Sequence, residues 1–233
     1  MSKSFDNIYD IAELPKLLYG NNNQLNQFYL INTIIYHINK EYGEYDKILI
    51  ILFSNICYHH KYPIVYNWLV NDWEIDEKTV DILQYNKLIY YIIGMDHKND
   101  LTNKLIDSGA IFSESDLLML CNVTKIDCIL NFIKKNDINN KFIQIILKLI
   151  NDVDIFIVNN NTFNYIVEIL NLLYINNSNY CYDEFINNLK RTINIKGPYY
   201  NSYLSLGSYP PMWDTNPYCI NNPRYLQITE ILI

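Results

Sequence analysis

Glycine, alanine, arginine and proline are all scarce in this 233-residue chain, and each shortage excludes something. Six Gly leave little material for a phosphate-cradling loop, and no Gly-rich phosphate loop, HExxH or GxSxG pattern occurs. Two Arg, at Arg191 and Arg224, argue against broad nucleic-acid readout, because the guanidinium fork is the group suited to phosphate and base edges. Proline is absent from 64 to 197, as uninterrupted helices require. The five Cys (Cys57, Cys121, Cys128, Cys181 and Cys219) are odd in number and contain no CxxC pair, which disfavours a disulfide framework or a zinc ribbon. They read as reduced, small apolar residues. No run approaches the ~18 apolar residues of a membrane span, so no membrane association is expected. Met1 to Asp6 shows no signal-peptide apolar region, so a reducing cytoplasmic or nuclear compartment is the expectation.

What the chain does have is 38 Ile, 34 Asn and 22 Tyr. That much Ile and Tyr buries a core and excludes intrinsic disorder. Charge is uneven. Residues 1–189 hold 14 Lys against 23 acids, a balance of −9, whereas 190–233 hold four cations against Asp214 and Glu230, a balance of +2. An acidic body repels phosphate backbones, so no nucleic-acid partner is expected.

Periodicity predicts helices. Four windows place apolar residues at i, i+3, i+4 and i+7: Ile31, Ile34, Ile35, Ile38; Ile126, Ile129, Leu130, Ile133; Phe142, Ile145, Ile146, Leu149; and Phe163, Ile166, Val167, Leu170. That spacing makes one apolar stripe on a helix and would scatter over both faces of a strand. Ser113 with Asp116 and Thr124 with Asp127 have capping-box spacing, and Pro63 suits the first position of a helix through Val70. Residues 48–53 read as a buried helix, with a buried strand as the alternative, and 153–158 as a short strand or an extended connector. Five of the seven Pro crowd into 198–223, so 1–195 is expected to be a helical body and 196–233 a Pro/Tyr-rich tail, irregular over 196–224.

The helices look short and Asn/Asp-linked, and such helices must stack on neighbours. Leu105-Ile106-Asp107-Ser108-Gly109-Ala110-Ile111 resembles the end of an ankyrin outer helix with its Gly-Ala turn. Asp116 to Cys121 resembles the following inner helix, and Ile126 to Asn136 the next outer helix. Over 101–136 the chain therefore resembles a degenerate ankyrin repeat of the kind abundant in large DNA viruses with A+T-rich genomes. The resemblance implies an all-α solenoid of stacked helix pairs, a protein-binding rather than enzymatic role, no cofactor, and contact with a host protein.

Four groups of residues are candidates for chemistry or binding. Cys57, His59 and His60 lack further ligands at zinc spacing and read as a helix C-terminus. Glu74, Asp76 and Glu77 read as a solvated helix N-terminus rather than a catalytic pair. Cys121 and Cys128 read as core residues separated by a turn over 122–125. The tail carries six Tyr and a Trp within 27 residues, on the basic end of the chain. Tyr199, Tyr200, Tyr209, Trp213, Tyr218 and Arg224 are its expected partner-binding residues, since Tyr and Trp give large contact area with few rotors to freeze. The plainer reading is that this segment caps the end of the stack. The function expected is a non-enzymatic protein-interaction module. The alternatives are an assembly component of a virion or other large complex, self-associating through the same tail, and an enzyme without a readable motif.

Overall fold

The computed structural model describes residues 24–39, 49, 52–53, 55–56, 61–85, 87–176, 182–204 (side chains to 196) and 220–232. All regular structure among them is helical. The helices are α1 Gln24–Asn39, α2 Pro63–Asn67, α3 Glu77–Tyr85, α4 Leu88–Met95, α5 Asp100–Asp107, α6 Glu114–Leu120, α7 Ile126–Lys135, α8 Asn140–Asp152, α9 Asn160–Asn176, α10 Asp183–Leu204 and α11 Pro223–Leu232. A π-turn, Trp68–Asp72, continues α2, and a 3-10 turn, Val123–Lys125, precedes α7. No described helix is long and apolar enough to cross a membrane.

The chain forms two compact units, Met1–Leu120 and Cys121–Ile233. In the first, α4 is the centre. Its Leu88, Ile89, Ile92 and Ile93 are all buried, and it packs on α3, α5 and α6. Pro63 occupies the first position of α2, where its missing N–H has no intrahelical partner to lose. The π-turn leaves carbonyls over, and Lys104 Nζ on α5 donates to two of them, Leu69 O at 2.9 Å and Val70 O at 2.8 Å. Burial there pushes the Lys104 ammonium below its ordinary range, and the Asp72 carboxylate opposes the shift. Leu49, Leu52 and Phe53, from the apolar run, and Ile56 just after it are helical and buried.

A carboxylate locks this unit. Asp96 follows α4 and is 0% exposed. It accepts from Tyr66 Oη on α2 (2.9 Å) and from Thr102 N (2.7 Å) and Oγ1 (2.8 Å) on α5. Asn99 makes the reversal between α4 and α5 at φ 67°, a conformation that Asn tolerates better than most residues. Asp76 caps α3, accepting from Thr79 N at 2.8 Å, and its bonds with Thr79 hold its carboxyl below the usual range. The acidic cluster beside Trp73 is thus a helix N-terminus, as its spacing predicted.

In the second unit each helix packs on the second one along. Helix α9 lies against α7 and α11, and α8 against α10. Phe132 of α7 and Phe142 of α8 meet edge to face, their centroids 5.5 Å apart. Asn139 caps α8, accepting from Phe142 N at 2.9 Å.

Several details depart from the sequence reading. Helix α10 runs through Gly197 and Pro198 to Leu204, so the segment expected to be irregular from 196 begins as helix. Proline's fixed φ is itself helical, and buried Phe185, Ile186, Leu189 and Ile193 already anchor the preceding turns. Residues 155–157 form a tight turn rather than a strand, with Ile157 N and Val158 N both donating to Asp154 O. Helix α8 buries Phe142, Ile143, Ile146, Leu147 and Ile150, a stripe rotated from the one read, with Ile145 and Leu149 half-buried. Ile35 lies on the exposed side of α1. Thr124 sits inside the 3-10 turn, where its N and Oγ1 both donate to Asn122 Oδ1 at 3.0 Å, so Asn122 caps that turn. The Ser113–Asp116 capping box forms as read, with Ser113 N donating to Asp116 Oδ2 at 2.8 Å and Asp116 N to Ser113 Oγ at 3.3 Å.

Replacing Asp96 by Ala removes the acceptor of three hydrogen bonds at once and is expected to destabilise the protein by roughly 3 kcal/mol, while Tyr66→Phe removes one neutral donor and costs about 1 kcal/mol. Urea unfolding of the two variants checks both. Equal, small losses would show that the carboxylate is not the common acceptor.

Candidate functional site

The tail residues expected to bind a partner fall into three groups. Tyr199 and Tyr200 lie on the helical backbone of α10. Tyr209, Trp213 and Tyr218 lie outside the described residues, as do Cys57, His59 and His60. Arg224 is half-buried and engaged within its own chain. Its Nη1 donates to Ile155 O (2.7 Å) and Val158 O (2.8 Å), its Nη2 donates to Asn160 Oδ1 (2.9 Å), and its guanidinium stands 4.7 Å over the Phe163 ring. The fork therefore joins the start of α11 to the 155–158 turn and the start of α9. Beside it, Lys196 Nζ meets Asp154 Oδ2 at 2.6 Å, so both ends of that turn are held by cations of the C-terminal segment.

Cysteine chemistry is suppressed where it can be read. Cys128 is fully buried, and burial pushes the Cys121 thiol up to about 12. No group of His, Cys, Asp and Glu among the described residues has a metal-holding arrangement.

Among the described residues of the first unit, α3, α4 and the 111–116 segment surround a groove of about 620 Å³. Local chain chemistry builds it. Helix α5 ends on Gly109 at φ +75°, with Gly109 N donating to Ile106 O and Ala110 N to Leu105 O, the bond pair that closes a helix end through a left-handed glycine. The chain then alternates. Ala110 and Phe112 turn inward and are buried, Ile111 turns outward and is 72% exposed, and Ser113 caps α6. Gln84 Nε2 of α3 donates to Ile111 O at 2.8 Å, fixing the strip at the rim. The opposite wall is Tyr90 and Tyr91 of α4, edge to face with centroids 5.7 Å apart. Lys87, held at φ 55° in the turn before α4, completes the edge.

The volume is that of a small-ligand or side-chain pocket. Its apolar surface is aromatic and branched aliphatic. Of its polar groups, Ser113 and Asp116 are held by the capping box and Gln84 by the Ile111 carbonyl. The sequence reading had placed Ile111 only as the end of a repeat-like segment and passed over Tyr90 and Tyr91. The available signal was the Gly-Ala turn, which reverses the chain and throws the next apolar residue outward. A second, polar hollow of about 500 Å³ lies at the end of α7, lined by Lys134, Lys135, Asn136 and Asp137, with Lys134 already paired to Glu168 at 2.6 Å.

No protein-family model matches this chain, and no curated protein or solved structure matches it.

Two outcomes follow from these sites. With its thiol near 12 against about 9 unfolded, Cys121 should be alkylated at pH 8 about a thousandfold more slowly in the native than in the unfolded chain, read by mass spectrometry of its peptide. The raised value also means that native stability holds below about pH 9 and falls as pH rises from there toward 12. Arg224→Ala should destabilise the protein by roughly 2 kcal/mol, and Arg224→Lys should recover only part, because a single ammonium cannot reproduce the fork. Thermal unfolding that ranks Lys equal to Arg would refute the bidentate role.

Proposed function

We propose that this protein is a non-enzymatic interaction module, an ankyrin-like scaffold or adaptor of stacked short helices, which holds an apolar side chain of a partner protein in the Tyr90–Tyr91–Ile111 groove. The observation that carries the proposal is Ile111. Folding normally buries a branched aliphatic residue. Here the Gly109 reversal and the Gln84 bond hold it out at the lip of an aromatic-walled hollow, next to buried Ala110 and Phe112. Displayed apolar groups beside fixed aromatic rings are the usual anchors of binding energy. Packing of α9 on α7 and α11, and of α8 on α10, is compatible with a layered helical repeat and supports the scaffold reading. The resemblance to viral ankyrin repeats extends the proposal to a host protein as partner, met in the cytoplasm or nucleus, with the Tyr/Trp-rich tail as a second contact region.

Affinity capture from host-cell lysate tests the groove when wild type and variants are compared. Ile111→Asp places a charge at the lip of the apolar site and should lower recovery of a specific partner at least tenfold. As a surface change it should leave the free energy of unfolding within about ±0.5 kcal/mol of wild type. Trp213→Ala reports on the tail separately. Equal recovery by wild type and Ile111→Asp would remove the groove from the interaction.

A further inference from the structure

Lys87 stands in the turn before α4 at φ 55° and ψ 26°, a left-handed backbone that crowds any residue with a Cβ. The other left-handed residues described are Asn99 and Gly109, two residue types that tolerate it. Lys87 also occupies the capping position of α4. A short acceptor side chain normally takes an orphan N–H there, and Lys87 makes no such bond. Its charge has the wrong sign as well, because a cation at this end opposes the helix dipole. On all three counts the local structure favours Asn or Gly, and the chain places a lysine.

A residue that breaks several local rules at once points to a use outside the local fold. Lys87 is exposed and lies at the edge of the Tyr90–Tyr91–Ile111 groove. Among the described residues its ammonium enters no hydrogen bond, ion pair or ring contact. Asp116, the acid among the described lining residues, is 7% exposed and accepts from Ser113 N and Oγ on one oxygen, at 2.8 and 2.6 Å. The charge open at this rim is therefore positive, and it stands beside an aromatic and aliphatic wall. Taking the groove as the binding site, as proposed above, we infer that Lys87 is kept there to receive a carboxylate, so that the partner segment whose apolar side chain fills the groove carries Asp or Glu beside that side chain.

Charge and reach both fit that ligand. The ammonium and the amino end of α4 repel one another, and a carboxylate brought to the ammonium is attracted by both. A lysine head is a compact point charge on a flexible stem, so it takes a carboxylate from a range of directions. Residues 1–189 carry a balance of −9, so acidic segments are repelled at a distance and the contact depends on this local pair. An exposed pair adds modest affinity and mainly decides which partner is accepted. An apolar anchor alone, or a carboxylate alone, is held less well than the two together.

A random-peptide phage library, panned on the immobilised full chain and counter-selected on Ile111→Asp, tests this. Wild type should enrich peptides with an aromatic or branched aliphatic residue and an Asp or Glu adjacent or next but one to it. A synthetic peptide from that pool, followed by fluorescence anisotropy, should bind Lys87→Glu about tenfold more weakly than wild type. Its counterpart with Lys in place of the acid should prefer Lys87→Glu. Lys87→Asn should bind the acidic peptide roughly threefold more weakly. It should nevertheless raise the thermal midpoint, because Asn suits both the left-handed backbone and the cap. A lysine that served the fold alone would lower the midpoint and leave the affinity unchanged. Enriched peptides with no preference for an acid would overturn the inference and leave the groove in place. So would a Lys87→Asn variant that binds as wild type does or melts lower. If no peptide distinguishes wild type from Ile111→Asp, the groove itself fails as the binding site, and the role of Lys87 fails with it.

Discussion

The Asp96 carboxylate accepts three hydrogen bonds at a position with no solvent exposure, and the first unit is arranged around meeting that demand. A buried polar group must have its lone pairs filled, or its burial is costly. The donors come from α2 and α5, Tyr66 to one carboxylate oxygen and Thr102 to the other, so the residue that follows α4 ties both helices to its end. Downstream geometry follows. With the start of α5 set by the Thr102 bonds, its Lys104 reaches the open carbonyls of the π-turn, and its other end delivers Gly109, Ile111 and Ser113 to the lip of the groove. The groove is thus shaped from a distance, by a polar contact outside its lining.

The sequence made some of this legible, and physical reasons separate what it showed from what it hid. The all-helical class followed from spacing, because Ile and Leu recurred at three and four despite a composition rich in β-formers. The Ser113–Asp116 cap was readable because its partners are three residues apart and need nothing else. Asp96 was not, since its donors are 30 and 6 residues distant and only tertiary packing brings them together. The rotated stripe on α8 and the outward Ile35 share one cause. With Ile on nearly every side of a helix, periodicity cannot tell which face meets the core. Pro198 misled for the opposite reason, because a strong local breaker was outweighed by anchored turns before it.

The surface proved harder to read than the core. The tail's Tyr and Trp drew notice because they are concentrated, whereas the groove is assembled from single residues of α3, α4 and the strip before α6. Arg224, expected from its basic, aromatic-flanked setting to meet a partner, also has a place within the chain. Its guanidinium finds two carbonyls, an amide oxygen and a ring within its own chain. A side chain suited to grip a partner is equally suited to grip its own loop, and only the fold decides between them.

The division at Leu120/Cys121 bears on how the molecule is made. When the ribosome has produced the residues that form the first core, the 113 of the second unit are still to be added. At bacterial-to-eukaryotic elongation rates of about 5–20 residues per second, those take roughly 6–20 s, against micro- to milliseconds for a small helical fold to form. The nascent N-terminal half has time to bury its isoleucines before the C-terminal half, equally rich in them, emerges to compete.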